Sequence, residues 1–208
     1  MRKYILMALC ACLCTIAKAQ SLELGLRDNQ YAHASFIGKN RWLIGYEQSV
    51  LNVKAKEQSG RLFVGYIYER SSWSVTGIAY GGTEYAWNWQ AYGAIVKGEF
   101  TKKRLGIGGT LNANYDTYFD FQMNYDINVK YAIVQKYASE HGKQQLDVCA
   151  SFGNIPEYRE NVKNLRIGLK FTSGNLWVQP DVCIPNIEKG SSKHIRMLCS
   201  LGWNLEIK

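Results

Sequence analysis

His33, Ser35 and Glu47 come nearest, in type and spacing, to a catalytic set in this chain. A histidine can take the proton of a serine hydroxyl, the freed oxygen can attack a carbonyl, and a carboxylate can orient the imidazole. For that chemistry His33 and Ser35 must share one face of a strand, as their spacing of two allows. A reversal at Gly38-Lys39-Asn40 must then return Glu47 beside them. Other reactive residues are scattered. The three histidines, His33, His141 and His194, lack metal-ligand spacing. Cys149, Cys183 and Cys199 contain no C-x-x-C pair, and an odd trio is not a disulfide framework. Gly106-Ile107-Gly108-Gly109 opens no helix, so it reads as close packing rather than nucleotide binding. No cofactor and no metal is expected.

The elements that would position these residues are strands. In residues 119–134 the apolar set Phe119, Phe121, Met123, Tyr125, Ile127, Val129, Tyr131 and Ile133 alternates with Asp120, Gln122, Asn124, Asp126, Asn128 and Lys130. Period-two alternation marks a strand with two unlike faces. It recurs over 104–115, 165–172 and 194–205, and with more noise over 41–52, 60–70, 73–83, 88–100, 143–153 and 175–185. Leu22–Asp28 and Tyr31–Ile37, joined at Asn29-Gln30, complete a count of twelve, with ten as the alternative because the first two are short. No helix pattern is present in this set. Connectors alternate in length. Gly38-Lys39-Asn40, Ser71-Ser72, Thr101-Lys102-Lys103 and Ser173-Gly174 read as tight turns, while 53–60, 83–88, 154–163 and 186–193 read as longer polar loops. The stretch 135–142 reads as a medium connector, and Pro180 predicts a bulge, since proline cannot donate to a ladder.

Residues 1–19 stand apart. Arg2 and Lys3 precede an apolar run from Tyr4 to Ala17, and Ala17-Lys18-Ala19 matches a small-x-small cleavage site. This predicts a cleaved signal peptide over 1–19 and a single domain over 20–208. Cys12 follows Ala11 but lies in mid-run, which argues against a lipidated start. The 208 residues carry +8, and loss of Arg2, Lys3 and Lys18 with no acid leaves +5, spread along the chain. Nucleic-acid binders cluster their basic residues, so that class is excluded.

Long alternating strands, Asp and Asn on the polar face, and aromatics near strand ends predict an inverted arrangement. The apolar face meets lipid and the polar face lines the inside of a closed, antiparallel, up-and-down transmembrane β-barrel of about 12 strands. Tyr31, Trp42, Tyr66, Tyr68, Trp73, Tyr85, Trp87, Trp89, Tyr115, Tyr118, Trp177 and Trp203 are expected to form its interfacial girdles. Strand parity sends a basic set (Lys97, Arg104, Lys130, Arg166, Lys170, Arg196) and an acidic set (Glu47, Glu69, Glu99, Asp120, Asp126, Asp147, Asp181) to the lumen. Near-balanced charges in a narrow interior should pair, since an unpaired buried charge is costly.

The signal ending Ala17-Lys18-Ala19-Gln20, the serial amphipathic strands and the amphipathic C-terminal strand resemble the small outer-membrane β-barrel proteins of Gram-negative bacteria, in the style common among the Bacteroidetes. Ile155-Pro156-Glu157-Tyr158-Arg159 and Asn175-Leu176-Trp177-Val178 are similar to stretches in that group. The resemblance rests on pattern over the whole mature chain. It implies outer-membrane lipid as surroundings and insertion by the outer-membrane assembly machinery, which reads the last strand. Many members end in an aromatic residue, whereas this chain ends Leu205-Glu206-Ile207-Lys208. The expected function is structural, or binding and adhesion through outer loops, around an ion-paired lumen. The alternative is a small porin-like channel. His33-x-Ser35 with Glu47 also resembles the arrangement of outer-membrane lipid A deacylases, which implies a lipid-modifying enzyme as a second alternative. The turn at 38–40 falls on the periplasmic side, away from surface lipid.

Overall fold

The computed structural model describes residues 19–50, 59–84, 90–117, 120–138, 142–155, 163–185 and 195–207. They form twelve strands: β1 (Ala19–Arg27), β2 (Tyr31–Gly38), β3 (Trp42–Ser49), β4 (Ser59–Glu69), β5 (Trp73–Glu84), β6 (Gln90–Lys102), β7 (Leu105–Asp116), β8 (Asp120–Ala138), β9 (Gly142–Gly153), β10 (Asn164–Ser173), β11 (Leu176–Ile184) and β12 (Arg196–Glu206). Each strand pairs antiparallel with its sequence neighbours, and β12 pairs with β1, which closes the sheet into a barrel. Closure removes every free sheet edge along the seam. The strand number is twelve, not ten. The expected signal segment, save its last residue, lies outside the described residues, and Ala19 already pairs with Gly38.

Register fixes which residues face inward. Counting through the paired strands, Glu47 opposes Arg61, Arg61 opposes Gly82, Gly82 opposes Ala91, and the same parity carries round to β1 by way of the part of β8 that precedes Ile133. The two faces are unlike. Outward Phe121 and Ile127 are 64% and 56% exposed, whereas inward Asn124 and Asp181 are 0% and 2% exposed. Among the described residues the buried apolar side chains are few and mostly small: Leu43, Ala91, Ala132, Cys183 and Leu198. Buried polar ones outnumber them and include Asn112, Asn114, Gln122 and Asp147. In a water-soluble fold the apolar side chains would fill the centre. Here they form the outer wall.

Aromatic rings ring that wall near both ends of the strands. Trp42 meets Tyr66 at 5.4 Å and Tyr68 meets Trp73 at 5.3 Å near the tight-turn end, while Tyr92 stacks on Tyr115 at 5.2 Å near the other. Two expected girdle residues do not belong to it. Tyr31 and Trp177 point inward, beneath Arg27 and Lys170 respectively. The expected girdle residues Tyr85, Trp87, Trp89 and Tyr118 lie outside the described residues.

Three other local expectations change. The stretch 135–142 is no medium connector: β8 runs to Ala138 and β9 starts at Gly142. The cause is a bulge, because Ala132 opposes Asp147 while Val134 opposes Leu146. The extra residue, Ile133, breaks the alternation and leaves Ile133 and Val134 both exposed. Pro180 makes no bulge. The register on either side of it, Gly168 with Asp181 and Phe171 with Val178, is unshifted. The pairing with β10 merely lapses between those points, as expected for a residue without an N–H, while Pro180 still opposes Cys199 on β12. Finally, β6 continues through Lys102 and the turn falls at Lys103-Arg104, with Lys103 at a φ of 55°.

Inward glycines sit directly across from bulky inward rings: Gly45 from Phe63, Gly93 from Tyr80 and Gly202 from Trp177. Each glycine leaves room for the ring to lie flat on the wall. Gly153 serves a tighter approach. A Cβ there would overlap the Tyr125 carbonyl and the Asp126 Cα, backbone that cannot swing aside. Gly153→Ala should therefore destabilise the barrel by about 1–3 kcal/mol. Urea unfolding of the refolded protein measures it, and a change under roughly 0.5 kcal/mol would mean β8 and β9 are not held this close.

Candidate functional site

The inside of the barrel concentrates the polar chemistry, and it has two zones. The zone nearer the long-loop end is a belt of mutual contacts. The Arg166 Nη2 donates to Asp28 Oδ1 and to Asp181 Oδ2, both at 2.7 Å. Asp28 reaches this place because it and Asn29 take left-handed backbone, φ 53° and 60°, a region Asp and Asn tolerate better than most residues. The β1–β2 turn is thereby laid against β12: the Asp28 N–H donates to Ser200 Oγ at 3.0 Å and the Asn29 N–H to the Cys199 carbonyl at 3.0 Å. Next in sequence, Arg27 donates to Glu47 at 2.9 Å, and Arg61 stands 4.0 Å from the same carboxylate. The Arg61 guanidinium lies 5.6 Å over the Tyr80 ring, and the Tyr80 hydroxyl donates to Asn112 at 3.0 Å.

From there the belt is carried by amides. The Asn124 side chain donates to Asn114 at 2.6 Å, and Asn154 donates to Asn124 at 2.9 Å while accepting the Tyr125 N–H at 2.7 Å. Asp126 on β8 lines the same interior cavity as Arg166. In a low-dielectric wall such contacts satisfy charges that would be expensive alone.

Below it the contacts loosen. Lys130 spans the Gly106 surface to reach Glu99 at 3.2 Å, an ion pair still substantially exposed. Lys170 lies 4.5 Å over the Trp177 ring. Lys97 is exposed to the interior and is in electrostatic reach of Glu23, Glu47 and Glu99 on several strands. Between the zones lies an interior cavity of about 220 Å³, lined by Asp126, Lys130, Arg166, Lys170 and Asp181, with the Cys149 thiol on its wall. A larger hollow of about 470 Å³ faces outward instead, between Tyr46, Leu62 and Tyr92, where Gly60 and Gly81 leave space on the apolar wall.

The residues singled out from sequence are placed as follows. Glu47, Lys97, Asp126, Lys130, Asp147, Arg166, Lys170, Asp181 and Arg196 share the inward parity. Asp120 also has that parity but stands exposed at the rim of β8. Arg104 does not face the lumen; it is exposed in the β6–β7 turn, since the strand reverses one residue before it. His33, Ser35 and Glu47 lie on one inward face but form no catalytic relay. The His33 ring leans over Gly25 toward Glu23, 3.5 Å from its carboxylate, and Glu47 is held by two arginines. Among the described residues no hydrogen bond joins His33 to Ser35.

The asparagines Asn112, Asn114 and Asn124 lie on the inward face that the alternation marks, whereas sequence reasoning missed Arg27, Asp28, Arg61 and Tyr80, although parity alone marks Arg27, Arg61 and Tyr80 as inward. No protein-family model matches the chain, and no curated protein sequence does. Solved structures do match. The chain is similar to the KdgM porin, solved in complex with disordered oligogalacturonate, with a TM-score of 0.57 at 10% identity over 90% of this chain and 98% of that one. The NanC porin follows with a TM-score of 0.46 at 15% identity over 90% and 98%. A bacterial polysaccharide outer membrane secretin gives 0.45 at 11% identity over 86% of this chain and 69% of that one. At 10% identity the likeness to KdgM is one of fold: this chain is a closed, twelve-stranded antiparallel barrel of the porin-like kind.

Proposed function

We propose that the chain is an outer-membrane β-barrel of Gram-negative type that passes small hydrophilic solutes through a narrow, weakly charge-selective lumen. One observation carries the reading: the apolar side chains stand on the outside and a charged cavity stands on the inside. Hydrocarbon chains solvate such an outer wall, and only a closed barrel leaves no strand edge in lipid. Outer-membrane lipid is then its surroundings, and the assembly machinery inserts it by way of β12. Twelve strands enclose more space than eight, where side chains can fill the interior. Lysines and carboxylates share the lumen, so no ring of one sign selects strongly. The KdgM porin, solved in complex with disordered oligogalacturonate, is an example of what a barrel of this fold can bind.

The belt favours a second reading, a structural barrel with its binding activity in the outer loops. Planar-bilayer recording separates the two. The channel reading expects stable unitary steps that shrink when a charged, membrane-impermeant thiol reagent modifies Cys149, and no shrinkage in Cys149→Ser. Cys199 faces outward, toward the apolar surroundings, and Cys183 is fully buried, so neither supplies a competing lumen signal. A folded barrel without unitary steps, whose Cys149 stays unmodified, belongs to the second reading.

A further inference from the structure

The β8–β9 hairpin carries an open strand edge. β7 and β8 pair only as far as Leu105 with Tyr131, and the last bond between them runs from the Ala132 N–H to the Arg104 carbonyl at 2.9 Å. β8 continues to Ala138, paired on its other side with β9 up to Gly142. Among the described residues, 133–138 therefore have a strand neighbour on one side only.

This overhang is out of proportion to the others at the same end. β4 passes its last partner on β3 by three residues, Tyr66 to Glu69, and β6 passes its last partner on β5 by two, Phe100 to Lys102. β12 passes β11 by three, Trp203 to Glu206. β8 passes β7 by seven, Tyr131 to Ala138, which is ~23 Å of strand. An edge of this length offers a row of N–H and C=O groups to an added strand. Exposed Ile133 and Val134 add apolar contact beside it.

Charge says what kind of strand fits. Lys102, Lys103 and Arg104 are exposed on the turn that ends where the open edge begins, and Lys136 is exposed on the edge itself. None of the four makes an ion pair with a described residue. Together they would repel a second copy of the same edge. They would attract an extended chain rich in carboxylates.

We propose that this edge takes up an extended acidic segment of a partner protein as an added strand. The partner's main chain bonds β8 beyond Ala132, and its carboxylates meet Lys102, Lys103, Arg104 and Lys136. The periplasmic setting of this surface rests on the membrane reading, but the binding does not need the lumen to conduct, so bilayer recordings and the following test can fail separately.

The full chain is folded in detergent, and its fold is checked by gel mobility before and after boiling. A fluorescent peptide of alternating glutamate and valine is titrated against it. Saturable binding is expected, with affinity falling as salt screens the charges. The variant K102E/K103E/R104E should lose about tenfold or more in affinity. The same peptide N-methylated at alternate residues should bind poorly, and peptide binding should slow hydrogen exchange at 133–136. Equal binding of the N-methylated peptide would reduce the surface to plain charge attraction and overturn strand addition. So would absence of saturable binding to the folded chain. Displacement of the peptide by phosphatidylglycerol vesicles, without exchange protection at 133–136, would assign the basic residues to lipid phosphates instead.

Discussion

Arg166→Ala should destabilise the folded barrel by about 3–5 kcal/mol, the usual cost of removing one partner from a buried ionic cluster. The reason lies in what stays behind. The side chains of Asp28 and Asp181 are 5% and 2% exposed, and each gives its nearest oxygen to the same Arg166 nitrogen. Without the guanidinium, two carboxylates face each other in a wall from which water is largely excluded. The Gln179 amide, which donates to Asp181 at 3.1 Å, can stabilise only one of them. The loss should also be released at a particular place. Asp28 belongs to the turn that crosses the β1–β12 seam, so the variant should show faster hydrogen exchange at Asn29 and along the start of β12. Urea unfolding in micelles, followed by tryptophan fluorescence, gives the magnitude. A triple variant, Arg166→Met with Asp28→Asn and Asp181→Asn, should recover most of the loss, because no charge is then left unpaired. If Arg166→Ala alone costs under about 1 kcal/mol, the belt is solvated and the outer zone of the lumen is wider than its contacts suggest.

How far the architecture could be read from the residues depends on whether the signal is carried by one strand or by several. Alternation is a property of a single strand, and it marks the inward set from Glu47 to Arg196 wherever the strand is unbroken. At Ile133 one extra residue reverses the parity, and a pattern of period two has no way to announce its own phase slip. Tyr31 and Trp177 fail for a different reason. A large ring at a strand end looks interfacial, yet Trp177 lies flat inside because Gly202 stands opposite it, a relation between two strands. The belt is further from sight still. Asp28 enters it through a left-handed turn, and its partner is 138 residues away. Such a partner becomes legible only when the register of every intervening strand is known. The same holds for the open edge of β8, which exists only by comparison with where β7 stops.

Ile127→Arg tests the solvent of the outer wall, on which the fold's meaning depends. Ile127 is 56% exposed, points outward, and sits near the middle of the segment of β8 that pairs with β7. On a soluble barrel an arginine at so exposed a site would change stability by less than about 0.5 kcal/mol and would improve solubility. In lipid the guanidinium must be carried to the hydrocarbon centre, which costs about 2–4 kcal/mol at the midplane of a barrel. Depth gives the control. Leu105 also points outward and is 41% exposed, but it opens β7 beside the Lys103-Arg104 turn, where headgroups and water are within reach. Leu105→Arg should cost only about 0–1 kcal/mol. Unfolding titrations in phospholipid vesicles measure both. A large loss for Ile127→Arg with a small one for Leu105→Arg follows only from an apolar solvent layered around the barrel. Equal and negligible effects would leave the apolar wall without lipid and remove the physical basis for a transmembrane passage.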